Sequence, residues 1–174
     1  MKNHQIDIMA IQETKIDYNE KLTNKYFTWY HSGLNRMRPE GQMVSGVGII
    51  INNKIANYIT DVEPINDRVI KIEIEYRKPV VIFCVYAPTA ASETSEKEKF
   101  YEILQKEYDK HKYKKAVYII GDWNARIQKA ITKTEKQCIG KHTFDKTNTT
   151  LTNQTEKTQE NRKIPGILHQ HLTS

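Results

Sequence analysis

Between Arg68 and Tyr86 the chain changes its hydrophobic rhythm once, and that change limits what it can become. Val69, Lys71, Glu73 and Glu75 interleave with Ile70, Ile72, Ile74 and Tyr76. A period of two puts one face of a strand in the core and the other in water. After Arg77-Lys78-Pro79, the run Val80–Tyr86 is apolar throughout, as a strand covered on both faces must be. Two such strands joined by a tight connection predict a hairpin.

Other segments also read as regular elements. Ile6–Ile11 reads as a buried strand ended by the polar run Gln12-Glu13-Thr14-Lys15. A short helix is expected around Tyr18–Lys25, and an aromatic strand over Phe27–His31. Ser32–Ser45, with its glycines, proline and two arginines, reads as a surface loop. Gly46–Ile51 reads as a strand, turning at Asn52-Asn53 into a partner over Ile55–Val62. Ser95 and Glu98 fit a capping box, followed by Phe100, Ile103, Leu104 and Tyr108 at helical spacing, which predicts a helix to about His111. Ala116–Ile120 is a further apolar strand, broken by Gly121-Asp122-Trp123-Asn124. Strands, hairpins, one strong helix and a strand predict an α/β or α+β sheet protein.

Composition narrows the partners. The 174 residues allow one domain of normal size. Lys and Arg number 27 against 21 Asp and Glu, a net charge of +6, which suits a polyanion such as nucleic acid. Two cysteines, Cys84 and Cys138, are too few for a disulfide framework or a zinc site, and Cys84 reads as a small buried hydrophobe. No apolar run approaches the roughly 20 residues of a membrane span, and the N-terminus has no signal-peptide core. An intracellular location, nuclear or cytoplasmic, is the expectation. From Thr143 to Thr158 the chain is mostly Thr, Asn, Gln and Lys, so the C-terminal segment is expected to be loop-like or disordered.

Three strands end in polar functional residues: Glu13 after the first, Tyr86 in Tyr86-Ala87-Pro88-Thr89, and Asp122 with Asn124 after the last. If those ends share one rim, two carboxylates, a phenol and an amide converge. Hard oxygen ligands of this kind suit hydrated Mg²⁺, which takes one or two carboxylates and keeps several waters. Each motif alone also has an ordinary reading, as a solvated turn residue, a core-edge tyrosine or an Asx turn.

Taken in order, "IDIMAIQETK", "VYAPT" and "IIGDWNARI" resemble the endonuclease/exonuclease/phosphatase superfamily, whose fold is DNase I-like. More narrowly, they are similar to apurinic-like endonuclease domains of non-LTR retrotransposons and to the retroelement-derived sequences called craniofacial development protein 2-like. The resemblance implies a two-sheet α/β sandwich and a Mg²⁺-dependent (Mn²⁺ possible) phosphodiesterase acting on DNA, or on RNA. It implies that Glu13 binds metal, that Tyr86 lies near the scissile phosphate, and that Asp122 orients or deprotonates the attacking water. Asn124 would hold the phosphate and that aspartate, while Trp123 would pack. Arg36 and Arg38 either contact the nucleic-acid backbone or sit in a solvated loop. The lysines at 110, 112, 114 and 115 read as a helix end complementing its dipole.

The resemblance also implies an earlier strand bearing a metal-site asparagine and a later Asp-His pair, and the sequence offers neither. His142, His169 and His171 sit in segments unlike that pair. The expected organisation is thus a partial domain over residues 1–127, truncated at both ends, followed by a polar segment over 128–174. Catalysis is expected to be weak or lost, because members of a catalytic set act as a unit. The alternatives are a noncatalytic nucleic-acid-binding protein or a non-functional retroelement remnant.

Overall fold

The computed structural model describes residues 5–33, 45–125 and Lys133. The chain divides into two compact units: residues 1–87 with 102–123, and residues 88–101 with 124–174.

The first unit holds two four-stranded sheets, the α/β sandwich expected from the sequence. One sheet contains β1 (Ile8–Ile11), β2 (Glu20–Thr23), β3 (Phe27–Ser32) and β4 (Val47–Asn52), in the order β1-β4-β3-β2 and antiparallel throughout. The other contains β5 (Ile59–Asn66), β6 (Val69–Glu75), β7 (Pro79–Tyr86) and β8 (Ala116–Asp122), in chain order. Here β5, β6 and β7 are antiparallel neighbours, and β8 joins β7 in parallel. A parallel pair needs a crossover, and the helix α1 (Thr94–Asp109) lies within it.

The core forms where the sheets face each other. Val47, Ile49 and Ile51, at the period-two positions of β4, meet Ile70 and Ile72 of β6 and Cys84 and Tyr86 of β7. Full burial of each isoleucine contributes on the order of 1.5–3 kcal/mol. Cys84 is fully buried, as its sequence context predicts, and burial pushes its thiol up to about 11.

Several local expectations are corrected. Residues around Tyr18–Lys25 form β2 rather than a helix, because Glu20–Thr23 pairs residue for residue with Thr28–His31. The Asn52-Asn53 step does not close a hairpin. Asn52 caps a 3₁₀ helix over Asn53–Tyr58, its side chain accepting from Lys54 N, and the chain then crosses to the second sheet. The helix begins at Thr94, so Ser95 lies inside it, and the first turn closes onto Glu93, whose carbonyl accepts from Glu96 N and Lys97 N. The strand at Ala116 is not buried: Tyr118 is 56% and Ile120 36% exposed.

The polar face of β6 is also less wet than its alternation predicts. Lys71 is buried, and its Nζ meets Asp61, Glu63 and Glu73 at 3.2, 2.7 and 3.1 Å. Burial alone would lower its pKa, but the three carboxylates outweigh that and raise it. The lysines after α1 pair with carboxylates rather than simply ending a dipole: Lys110 with Glu107, Lys112 with Asp109, and Lys115 with Glu73.

Candidate active site

The site is built where β1, β7 and β8 run out. Glu13 follows β1 by two residues, while Tyr86 and Asp122 are the last residues of β7 and β8. The Tyr86 hydroxyl donates to Glu13 Oε1 at 3.0 Å, across 73 residues of sequence. Tyr86 is also the register partner of Asp122, and Ala87 N donates to the Asp122 carbonyl at 2.8 Å. Register partners on paired strands point to the same face of a sheet. Strands β1 and β8 approach within 8 Å between Cα atoms. Tyr86 therefore links the two carboxylate-bearing segments.

Burial differs sharply within this group. Tyr86 is 6% exposed and belongs to the core, whereas Glu13 and Asp122 are both exposed. The phenol is anchored on its other side by Arg68, which precedes β6. Tyr86 N donates to Arg68 O at 2.9 Å, Arg68 Nη1 donates to Tyr86 O at 3.3 Å, and the guanidinium lies 5.2 Å from the ring centroid. This contact is a cation–π pair.

Glu13 is delivered by an unusual backbone. Glu13 and Lys15 have φ values of 53° and 55°, the left-handed region that non-glycine residues rarely enter. Gln12 Nε2 donates to Cys84 Sγ at 3.2 Å, Thr14 N to Gly46 O at 3.1 Å, and Lys15 N to Ser45 O at 3.0 Å. Backbone held in such sparsely populated conformations clusters at functional sites.

The remaining expected site residues are placed differently. Asn124 belongs to the second unit, with its own backbone left-handed at φ 47°. Trp123 is half-buried, consistent with packing. Arg36 and Arg38 lie outside the described residues, as do His142, His169, His171 and Cys138 and, Lys133 apart, the segment 128–174. Sequence reasoning missed Arg68, whose signal was a cation set immediately before the alternating strand.

The donor chemistry fits a hard, hydrated divalent cation. Two exposed carboxyl groups sit at neighbouring strand ends, and the phenol on Glu13 Oε1 fixes one of them. Among the described residues no group of three or more His, Cys, Asp or Glu side chains could hold a metal ion.

Comparison with known proteins agrees with this architecture. The model of the Endonuclease/Exonuclease/phosphatase family matches residues 1–156. Craniofacial development protein 2 of Bos taurus is 33% identical over 129 residues, covering 73% of this chain and 21% of that protein. Its counterpart from Tragulus javanicus is 32% identical over 124 residues, covering 70% and 21%. The chain thus spans about a fifth of the length of these curated relatives. With two four-stranded sheets and a matched span that takes in β1, β7 and β8, the chain belongs to the endonuclease/exonuclease/phosphatase family.

Proposed function

We propose that the rim formed by Glu13, Tyr86 and Asp122 is the phosphodiester-hydrolysing site of a retrotransposon-type DNA endonuclease. The observation that carries this reading is the hydrogen bond from Tyr86 to Glu13, which ties the "QET" and "YAP" motifs into one group. Family membership supplies the nuclease- or phosphatase-type chemistry, and the +6 charge favours a polyanionic substrate.

In this reading Glu13 holds a hydrated Mg²⁺ or Mn²⁺, which when bound neutralises charge on the phosphate. Asp122 orients a water and accepts its proton as the water oxygen forms a bond to phosphorus. The bond to the leaving oxygen then breaks, and that oxygen departs with the electron pair. Tyr86 keeps the Glu13 carboxylate oriented and presents its hydroxyl beside the phosphate. Arg68 adds positive charge behind the ring. The phosphate-holding role of Asn124 rests on the motif Gly121-Asp122-Trp123-Asn124 alone.

Plasmid nicking in Mg²⁺ tests the reading. Asp122→Ala should lower the rate by about 10²–10⁴-fold, the usual contribution of a general base. Glu13→Ala should abolish the response to Mg²⁺. Nicking that is the same in wild type and both variants overturns the assignment. The net charge favours a second reading, nucleic-acid binding without catalysis. It is the one supported if wild type fails to nick yet binds DNA with strong salt dependence, indifferent to Mg²⁺ and to both substitutions.

A further inference from the structure

We infer that Thr14 and His31 are positioning residues that fix the carboxylate of Glu13 from behind. The inference rests on the reading of Glu13 as a metal-binding residue and concerns how that residue is held.

His31, on β3, is buried at 4% exposure, and both of its ring nitrogens are used. Nδ1 lies 2.6 Å from the Tyr18 carbonyl, which can only accept, so Nδ1 carries a hydrogen. In the neutral ring Nε2 is then an acceptor, and it is hydrogen-bonded to the Thr14 hydroxyl, which donates. The imidazole thereby spans the segment after Glu13, gripping it at Thr14 and again at Tyr18.

The neighbouring backbone is shaped around this pair. Gly46 has φ +106°, and a Cβ there would collide with Thr14 Oγ1 and come within 3.3 Å of His31 Nε2. Gly46 also accepts from Thr14 N and donates to Asp67 O at 2.9 Å, while Ser45 Oγ donates to Asp67. Thr14 is therefore held through its side chain and its main chain, one bond away from a residue in the left-handed region.

Glu13 is thus clamped from both sides. Gln12 is tied to Cys84 and the Glu13 carboxylate to Tyr86, both on β7, while Thr14 is tied to His31 on β3. A φ of 53° at a glutamate persists only where its surroundings enforce it. Freed on the Thr14 side, the backbone can relax towards extended geometry. That rotation swings the carboxylate off the Tyr86 hydroxyl and out of the geometry a metal requires. Partners that orient a metal ligand typically contribute 10–100-fold to metal affinity.

Mn²⁺ titration of the full 174-residue chain, followed by calorimetry and by loss of the free-ion spin-resonance signal, tests this. Thr14→Val keeps the β-branch and removes the hydroxyl, and should weaken Mn²⁺ binding by about tenfold or more. Its unfolding midpoint should stay within a few degrees of wild type. Thr14→Ser restores the hydroxyl and should return affinity to within about threefold of wild type. His31→Asn keeps a donor for Tyr18 but removes the acceptor for Thr14, and should match Thr14→Val.

Glu13→Gln separates the two hypotheses. If Glu13→Gln loses Mn²⁺ binding while Thr14→Val and His31→Asn bind like wild type, the positioning inference is overturned and the metal-site reading stands. If Glu13→Gln binds like wild type, the metal-site reading falls and the inference falls with it. If Thr14→Val and His31→Asn both fail to fold, the pair is a stability element and the inference is likewise overturned. A loss shared by both folded variants, with rescue by Thr14→Ser, is the supporting result.

Discussion

Strands β7 and β8 run parallel, in register from Val80/Ala116 to Tyr86/Asp122, and each ends on a candidate site residue. Their surroundings are opposite. In β7 one set of alternate residues, ending in Cys84 and Tyr86, joins the core between the sheets, and the other, Val81, Phe83 and Val85, is fully buried on the far face. Along β8 the exposed residues Ala116, Tyr118 and Ile120 alternate with half-buried Val117 and Ile119. The two halves of the candidate site therefore differ in how firmly they are held. The phenol is fixed by packing, by Arg68 and by Glu13, whereas the aspartate ends a strand whose alternate residues are exposed. Packing density makes a core strand intolerant of change, and a half-exposed strand lacks that constraint.

The largest expected effect separates the strands most directly. Phe83→Ala on β7 should destabilise the fold by about 3–5 kcal/mol, the usual cost of emptying a buried aromatic site. Tyr118→Ala on β8 should change stability by roughly 0.5 kcal/mol or less, as for an exposed position. Urea unfolding of the two variants side by side checks this, and equal losses would break the comparison.

Thiol reactivity sharpens it next. With its thiol pushed up to about 11 from an ordinary 9.0, Cys84 should alkylate about a hundredfold more slowly than an unfolded cysteine near pH 8. Iodoacetamide labelling with peptide mapping reads this site by site. Rapid labelling of Cys84 in the folded chain would show that β7 is not sealed.

Gly121 tests the seam between the strands. It has φ +142°, and a Cβ there would collide with the backbone of Val85. Gly121→Ala should cost on the order of 1–3 kcal/mol in thermal or urea unfolding. An unchanged midpoint would contradict the pairing of Gly121 with Val85.

The smallest effect is one of pH. His111 sits with its ring 6.3 Å from Phe83 of β7, and its buried Nε2 has no hydrogen-bond partner among the described residues and lies 3.7 Å from Glu73 Oε1. Burial lowers its pKa, opposed by Glu73 and aided by Lys71 and Lys115. A base with a lowered folded pKa is protonated first in the unfolded chain. Its contribution to stability is complete above the ordinary 6.5 and is lost as pH falls through the folded value. Unfolding curves between pH 7.5 and 5 should thus show a decline that His111→Phe flattens. An identical slope in the variant would mean the outer face of β7 is wetter than its burial indicates.

Reading the sequence found the strands whose rhythm reflects local surroundings. Phe27–His31, Gly46–Ile51, Arg68–Tyr76 and Val80–Tyr86 match observed strands to within a residue or two. It failed where pairing partners decide. Glu20–Thr23 has no strand rhythm of its own and is extended because β3 lies beside it. Lys71 looked solvated because alternation says which face a residue takes, not what covers that face. The buried charge set around it depends on carboxylates 10 and 8 residues earlier on β5, and two later on β6.

The candidate site divides in the same way. Glu13, Tyr86 and Asp122 were legible because each sits where an apolar run stops, a signal carried by the chain locally. That Tyr86 reaches Glu13 was not legible, because the contact spans 73 residues and exists only once two sheets stack. Arg68, Thr14 and His31 acquire their significance solely from neighbours brought by the fold. Sequence alone picked out the candidate residues, since side-chain type and strand ends are local properties. Tertiary structure decided how those residues are oriented, since the left-handed turn at Glu13 and the clamp behind it need contacts from both sheets at once.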